Sequence, residues 1–417
     1  MITKQPNDYV KIANQQLIKQ NNLTLVFNLI NRYEPISRVK LARLTRLSPT
    51  TISSLVEELL ENELVMEIGA GKTNSSGRKP IMLKVNQKSR FVISLEVKKD
   101  KISGGVYDLK CNEIARKSIS EYDIAGLGNG LISLCEELIE ESKLNRNNFL
   151  GIALGIPGII NYRDYTVVSS TVIEKLHTNK TFYTELSNRF SNIPILMENE
   201  SCFAAYAEHT IARSGREGDN ILIDINEGVG CGIIIDDNIY KGAWGIAGEL
   251  GHMTIDMNGE HCECGNRGCL ETLVSIPAIL KRALKAAEEK KSGVFWELVQ
   301  KKDLPLFDSF LKAYEDKDPV ALETVLHAAD CLAFGINNAV NLLDIRQIGI
   351  SGRITKFGKL FIDRVKQKVK SMSFDLYGDK IQVNYSVLGD DTVVLGGARY
   401  LLDNIYRPKR DFANQGI

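Results

Sequence analysis

The chain has 417 residues, 44% hydrophobic and 25% charged, a balance that fits a globular protein with several cores and argues against a fibrous or low-complexity one. Its 52 Lys and Arg match its 52 Asp and Glu, but residues 1–90 hold 14 basic against 7 acidic side chains, so a head of +7 precedes a body of −7. The opening residues lack the apolar core of a secretory signal and no uninterrupted apolar run reaches the roughly 18 residues that span a bilayer, which predicts a cytoplasmic protein with no membrane partner.

In chain order, apolar residues Leu25, Val26, Leu29 and Ile30 recur at helical spacing from Leu23 to Ile30, and Pro35 closes that pattern. Ser37 is placed to cap a second, short helix through Val39, Leu41, Ala42 and Leu44. Ser48, with Pro49 at the favoured first helical position, is placed to cap a third through Ile52, Leu55, Val56, Leu59 and Leu60. Two short helices joined at Thr45-Arg46-Leu47 read as a helix-turn-helix, whose second helix enters the major groove of DNA. The inward stripe leaves Thr50, Thr51, Ser53 and Ser54 at the open N-terminal end. Small hydroxyls there can approach base edges and phosphates, and Arg43 and Arg46 lie close enough to neutralise the backbone. The plain alternative is a polar surface helix.

Against that alternative stand two short strands, residues 64–68 and 81–85, around a tip rich in Gly, Ser and Lys, which together read as a wing. The tip, residues 69–80, holds Lys72, Arg78 and Lys79 and no acidic residue. It suits phosphates or an adjacent minor groove, although a solvated hairpin loop has a similar composition. Residues 1–87 are therefore expected to form a winged helix-turn-helix DNA-binding domain with operator DNA as partner.

Beyond Lys88 strands and helices alternate. Residues 91–97, 102–107 and 113–120 read as strands, 131–142 as a helix, and 149–154 as a buried strand running into Gly155-Ile156-Pro157-Gly158. A second block opens near Asn220 with strands at 221–225 and 232–235, then a long helical stretch from Ile276 and a strand at 347–350. Two α/β lobes with a cleft between them is the economical reading. Residues 88–200 are assigned to the first and 201–417 to the second, with the C-terminal helix returning to the first.

Of the eight cysteines, Cys111, Cys135, Cys202, Cys231 and Cys331 are scattered singly, as small buried apolar residues are, and suggest no disulfide framework. Cys262, Cys264 and Cys269 instead crowd together, separated by nine intervening residues from Gly248-Glu249-Leu250-Gly251-His252. One His and three Cys are the ligand set of a closed tetrahedral zinc site, so His252, Cys262, Cys264 and Cys269 are the expected Zn2+ ligands. Gly265 and Gly268 permit the tight turns that gather three thiolates round one ion. A redox or purely structural cysteine cluster is the alternative.

The run from Gly248-Glu249 to Glu271 is preceded in order by Gly155-Ile156-Pro157-Gly158, Glu198-Asn199-Glu200 and Gly228-Val229-Gly230-Cys231-Gly232. This series resembles the family of repressors, open reading frames and sugar kinases (ROK), over essentially the whole chain. The head and its Ser76-Gly77-Arg78-Lys79-Pro80 tip resemble the repressor branch, most of all the xylose repressors of Gram-positive bacteria. The resemblance implies an actin-like, two-lobed sugar-kinase fold of ribonuclease H-like type behind a winged helix-turn-helix. It also carries sugar-binding positions over to Gly158, Asn199, Glu200, Glu249, His252 and Glu271. Their chemistry is sensible in itself: carboxylates and an amide pair with hydroxyls, and an imidazole can give one nitrogen to zinc and the other to a sugar oxygen.

Departures from the family pattern separate sensor from kinase. Active members place Asp-x-Gly-Gly-Thr on the first strand turn, where this chain reads Leu95-Glu96-Val97-Lys98-Lys99-Asp100, with no glycine to let backbone approach a phosphate. The threonine of a second Gly-Thr-Gly loop is Glu227 here, whose charge opposes a triphosphate. The family's catalytic Asp position is Glu200, and a carboxylate displaced by about 1 Å can cost roughly 100-fold in rate. The expectation is no enzyme, but a sugar-responsive repressor of a carbohydrate-utilisation operon that a monosaccharide releases from its operator.

Xylose leads as effector, with glucose or an amino sugar behind it, because residues 165–183 lack the Asn and Trp that many relatives place beside the sugar. Half-site symmetry implies a homodimer or higher homo-oligomer. The rival readings are an ATP-dependent ROK-type sugar kinase with a DNA-binding appendage, and a DNA-bound scaffold whose cleft takes a protein.

Overall fold

The computed structural model describes residues 15–70, 79–120, 122–212, 218–374, 378–389 and 391–407. The head is built from α1 (Gln15–Tyr33), β1 (Ile36–Ser37), α2 (Arg38–Thr45), α3 (Pro49–Glu61), β2 (Val65–Ala70) and β3 (Ile81–Val85), its strands ordered β1-β3-β2. α1 begins well before the expected Leu23 because its first turns, Gln15 to Asn22, are too polar to show a period. Both expected caps form: Ser37 Oγ accepts the Lys40 N–H at 3.3 Å, and Ser48 Oγ accepts that of Thr51 at 3.1 Å. The stripe expected on α2 is narrower than its sequence suggests. Leu41 is buried, but Val39 and Leu44 face outward, since so short a helix offers the core one face only.

The first lobe holds β4 (Phe91–Val97), β5 (Lys101–Asp108), β6 (Glu113–Ser120), α4 (Leu127–Ser142), β7 (Phe149–Ile156), the hairpin β8 (Ile159–Asn161) and β9 (Thr166–Ser169), α5 (Phe182–Arg189) and β10 (Ile195–Asn199). Its sheet runs β10-β7-β4-β5-β6, with β7 and β10 parallel to β4 and with β5 antiparallel to both β4 and β6. α6 (Glu200–Ala207) then leads to β11 (Asn220–Ile225), β12 (Val229–Ile235) and β13 (Asn238–Ile239).

Five helices follow: α7 (Glu271–Val274), α8 (Ile276–Lys290), α9 (Val294–Lys301), α10 (Leu306–Glu315) and α11 (Pro319–Leu343). The chain closes with β14 (Gln347–Ser351), α12 (Gly358–Met372), β15 (Gln382–Tyr385) and α13 (Thr392–Ile405). The second sheet, β13-β12-β11-β14-β15, repeats the connection pattern of the first strand for strand.

The long helical stretch expected from Ile276 is four helices rather than one. Lys291, Lys302 and Lys317 each take a left-handed φ between helices, and Pro305 and Pro319 stand where α10 and α11 start, signals that an apolar period alone passes over. α11 is long and apolar enough to cross a membrane, yet Val320, Val325, Leu332 and Ile336 are buried in the second lobe's core. Cys135, Cys202, Cys231 and Cys331 are buried as expected, while Cys111 is half-buried in a turn at φ 61°.

α13 leaves the second sheet and packs on β4 and β7 of the first lobe and on α6, which itself lies against β11 and β12 of the second. Gly396 makes this approach possible, because a Cβ there would lie 1.9 Å from the Phe203 carbonyl oxygen. The head's core is continuous with this region: Phe27 stacks on Tyr406 at 4.1 Å, and the Asn28 amide donates to the Tyr406 carbonyl at 2.7 Å. Lys110 of the first lobe pairs with Glu34 at 2.8 Å and donates to the Asn31 carbonyl at 3.0 Å, and Arg90 donates to the Asn62 carbonyl at 3.1 Å.

Candidate functional site

A cleft of about 1100 Å³ opens between the two sheets, and all six sugar-binding positions implied by the resemblance line it. Asn199 ends β10 and caps α6. Its Oδ1 accepts the Ser201 N–H at 2.8 Å and its Nδ2 donates to the Gly158 carbonyl at 3.0 Å, so one amide ties the two loops together. Gly158 sits at φ 123°, and a Cβ there would come 2.3 Å from the Ser169 carbonyl oxygen, which restricts the position to glycine.

Glu200, the first residue of α6, is half-buried in the cleft. Burial, followed by the nearby carboxylates of Asp224 and Glu96, pushes its carboxyl up to about 8 against the opposing charge of Lys98. At neutral pH it therefore holds its proton and can donate as well as accept. On the opposite wall, Glu271 Oε2 accepts the Val229 N–H at 2.9 Å. His252 closes a 3-10 turn over Leu250–His252, and its Nε2 stands 3.8 Å from Glu249 Oε2.

The other imidazole nitrogen faces away from Glu249. His252 Nδ1 is 3.6 Å from Cys262 Sγ, Cys264 Sγ is 3.7 Å from Cys269 Sγ, and the four ligand atoms lie within 4.8 Å of one another. Zinc bonds of about 2.3 Å to sulfur and about 2.0–2.1 Å to nitrogen imply tetrahedral edges of about 3.8 and 3.6 Å, so this donor set fits the ion. Burial pushes the Cys269 thiol up to about 12 and raises Cys262 as well, so both need a cation to become thiolates.

The remaining wall is occupied by internal pairs that sequence reasoning missed. Lys98 Nζ lies 3.2 Å from Glu96 Oε2, which also accepts from Ser103 Oγ at 3.3 Å. Glu227 Oε1 pairs with Arg353 at 2.8 Å, and that guanidinium lies over the Phe307 ring at 4.2 Å. Beneath Asn199, the fully buried Glu198 accepts the Asn199 N–H at 3.0 Å and bonds Tyr162 and Lys241. The Glu198-Asn199-Glu200 run was visible in the sequence, but no spacing links it to Lys241.

In the head, Thr50 and Ser54 are exposed on α3, Thr51 and Ser53 are half-buried, and the Thr51 hydroxyl is already shared with Ser48 Oγ at 2.8 Å. Arg43 and Arg46 are exposed, Arg46 closing α2 at φ 59° in the turn that leads to α3. Lys79 is exposed at the foot of β3, and Lys72 and Arg78 lie outside the described residues.

Comparison with known proteins covers both parts. The sequence pattern of the ROK family matches residues 92–404. The xylose repressor of Caldicellulosiruptor bescii is 31% identical over 392 residues, 92% of this chain and 96% of its own. Among solved structures, a ROK family transcriptional regulator described as a homolog of the Escherichia coli MLC protein superposes with a TM-score of 0.81 at 24% identity, over 94% of this chain and 98% of its own. A ROK hexokinase from Thermus thermophilus superposes with a TM-score of 0.61 at 22% identity, over 76% of this chain and 98% of its own. The two superpositions establish the actin-like sugar-kinase type of fold. With a family pattern that spans both lobes and a relative matched nearly end to end, the chain belongs to the ROK family.

Proposed function

We propose that this chain is a sugar-responsive transcriptional repressor that holds operator DNA with its head and leaves it when a monosaccharide enters the cleft. The observation that carries the reading is the 31% identity to a xylose repressor over 92% of the chain, head and cleft together. The head acts as a winged helix-turn-helix. The open end of α3, with Thr50 and Ser54, faces base edges while Arg43, Arg46 and the wing cations Lys72, Arg78 and Lys79 neutralise phosphates. Thr51 acts mainly by holding the cap with Ser48. Two copies bind a two-fold operator.

In the cleft, Gly158, Asn199, Glu200, Glu249, His252 and Glu271 hold the sugar hydroxyls, with xylose the first candidate. Zn2+ on His252, Cys262, Cys264 and Cys269 supplies rigidity and fixes the imidazole so that Nε2 faces the sugar. Lys98 on Glu96 and Arg353 on Glu227 fill the wall where a triphosphate would need open backbone and unpaired cations, which supports sensing without phosphoryl transfer. A sugar with about 100-fold preference for one lobe geometry supplies near 3 kcal/mol of coupling, enough to empty an operator at moderate occupancy.

The test is calorimetry of the full chain against xylose, glucose and N-acetylglucosamine, with gel-shift titration on duplex DNA selected by the protein from a random pool. One sugar should bind and weaken the duplex complex, and Arg43→Ala with Lys79→Ala should weaken it across all sequences. Sugar-dependent ATP turnover at about 1–1000 per second would overturn the reading in favour of a kinase.

A further inference from the structure

α13 starts at the cleft, where Thr392 and Val393 line the wall, and ends at the head, where Tyr406 stacks on Phe27 at 4.1 Å and accepts from Asn28 at 2.7 Å. Between those ends Leu401 seats it against β7 of the first lobe, and Gly396 lets it approach α6, the helix that lies on β11 and β12 of the second. The next residue, Arg407, reaches the second lobe instead: one amino group donates to the Asp237 carbonyl at 2.8 Å, and the other bonds the Asn238 side chain. Asp236 and Asp237, at φ 51° and 58°, form the two-residue turn between β12 and β13. That turn is fixed to its own lobe, because Asp237 Oδ1 is 2.8 Å from His209 Nε2 and His209 Nδ1 is 2.8 Å from Asn220 Oδ1.

Adjacent residues therefore grip different bodies: Tyr406 holds the head and Arg407 holds the β12–β13 turn of the second lobe, while the helix before them packs both on β4 and β7 of the first lobe and on α6, which lies against the second sheet. Lys110 and Arg90 attach the head to the first lobe at separate points. A change in the angle between the lobes moves the β12–β13 turn relative to the first sheet, while those two anchors stay in place. We infer that Arg407 is a positioning residue that converts this movement into a tilt of α1, and through the shared core of the head into a displacement of α3. The inference rests on the sugar-responsive reading. Its warrant is an element in direct contact with all three bodies rather than closeness alone.

The test uses the full chain, D-xylose and the duplex selected by the wild type from random DNA. In the wild type, xylose should weaken duplex binding on the order of 100-fold. In Arg407→Ala that ratio should fall at least about tenfold, with xylose affinity by calorimetry unchanged within about twofold. Asn238→Ala should lose part of the ratio, the double variant should lose no more than Arg407→Ala alone, and Arg407→Lys should recover part of it. A wild type that releases the duplex beside an Arg407→Ala variant that releases it equally would overturn the joint alone. A wild type that binds xylose and keeps the duplex would overturn the reading and the joint with it.

Discussion

Glu200 is the residue whose environment says most about the cleft. Its carboxyl ionises near 4.5 in an exposed chain and near 8 in the fold, so between those values the folded protein holds a proton that the unfolded chain has lost. The stabilising contribution is complete below about 4.5, declines as pH rises, and is gone above about 8. Wild-type melting temperature should accordingly fall more between about pH 5 and about pH 8 than that of Glu200→Gln, whose amide needs no proton. Thermal melts of both proteins across that range check this, and equal slopes would refute it. The position of Glu200 was legible from Glu198-Asn199-Glu200, but its titration was not. The burial that raises it, and then the carboxylates of Asp224 on β11 and Glu96 on β4, arise only after folding.

At the scale of elements, legibility followed how local the signal was. Ser37, Ser48 and Pro49 announced α2 and α3 correctly because a cap is a contact within one turn. Val39 and Leu44 misled because exposure depends on what lies opposite, and the breaks between α8 and α11 went unseen because an apolar period passes over Pro305 and Pro319 and left-handed lysines carry no compositional mark. Contacts distant in sequence, such as Lys241 with Glu198 or Arg407 with Asp237, left no trace in any spacing. Gly396 is a further case, a glycine inside a helix that looks like a weakness. Alanine there gains about 1 kcal/mol of helix propensity. It also drives a methyl group to 1.9 Å from the Phe203 carbonyl oxygen, and overpacking of this kind costs about 1–3 kcal/mol or more. Gly396→Ala should therefore be destabilising by up to about 2 kcal/mol net, read as a lower urea midpoint with an unchanged slope.

For the molecule as a whole, the His252, Cys262, Cys264 and Cys269 cluster, the cleft and the head are three centres that the proposed function requires to act together. His252 touches two of them, with Nδ1 toward the thiols and Nε2 toward Glu249. Cys264→Ser removes one of four ligands, so metal affinity should fall beyond the about 10–100-fold that loss of a mere supporting partner costs. Sugar affinity should fall with it, while duplex affinity in the absence of sugar stays near the wild-type value. Elemental analysis beside calorimetry and gel shift reads all three, and a metal-free variant with normal sugar affinity would break the connection. The short passage from β3 to β4 bears on how such proteins diversify. Asn86 and Ser89 bond within that passage, Arg90 binds Asn62, and Phe27 is buried against Tyr406, so the head is bolted to the body rather than tethered. Readers of different operators could not be exchanged between relatives as free cassettes at residue 87. A working chimera would have to bring α1 and the last turn of α13 from the same parent, which makes these two helices a single heritable unit.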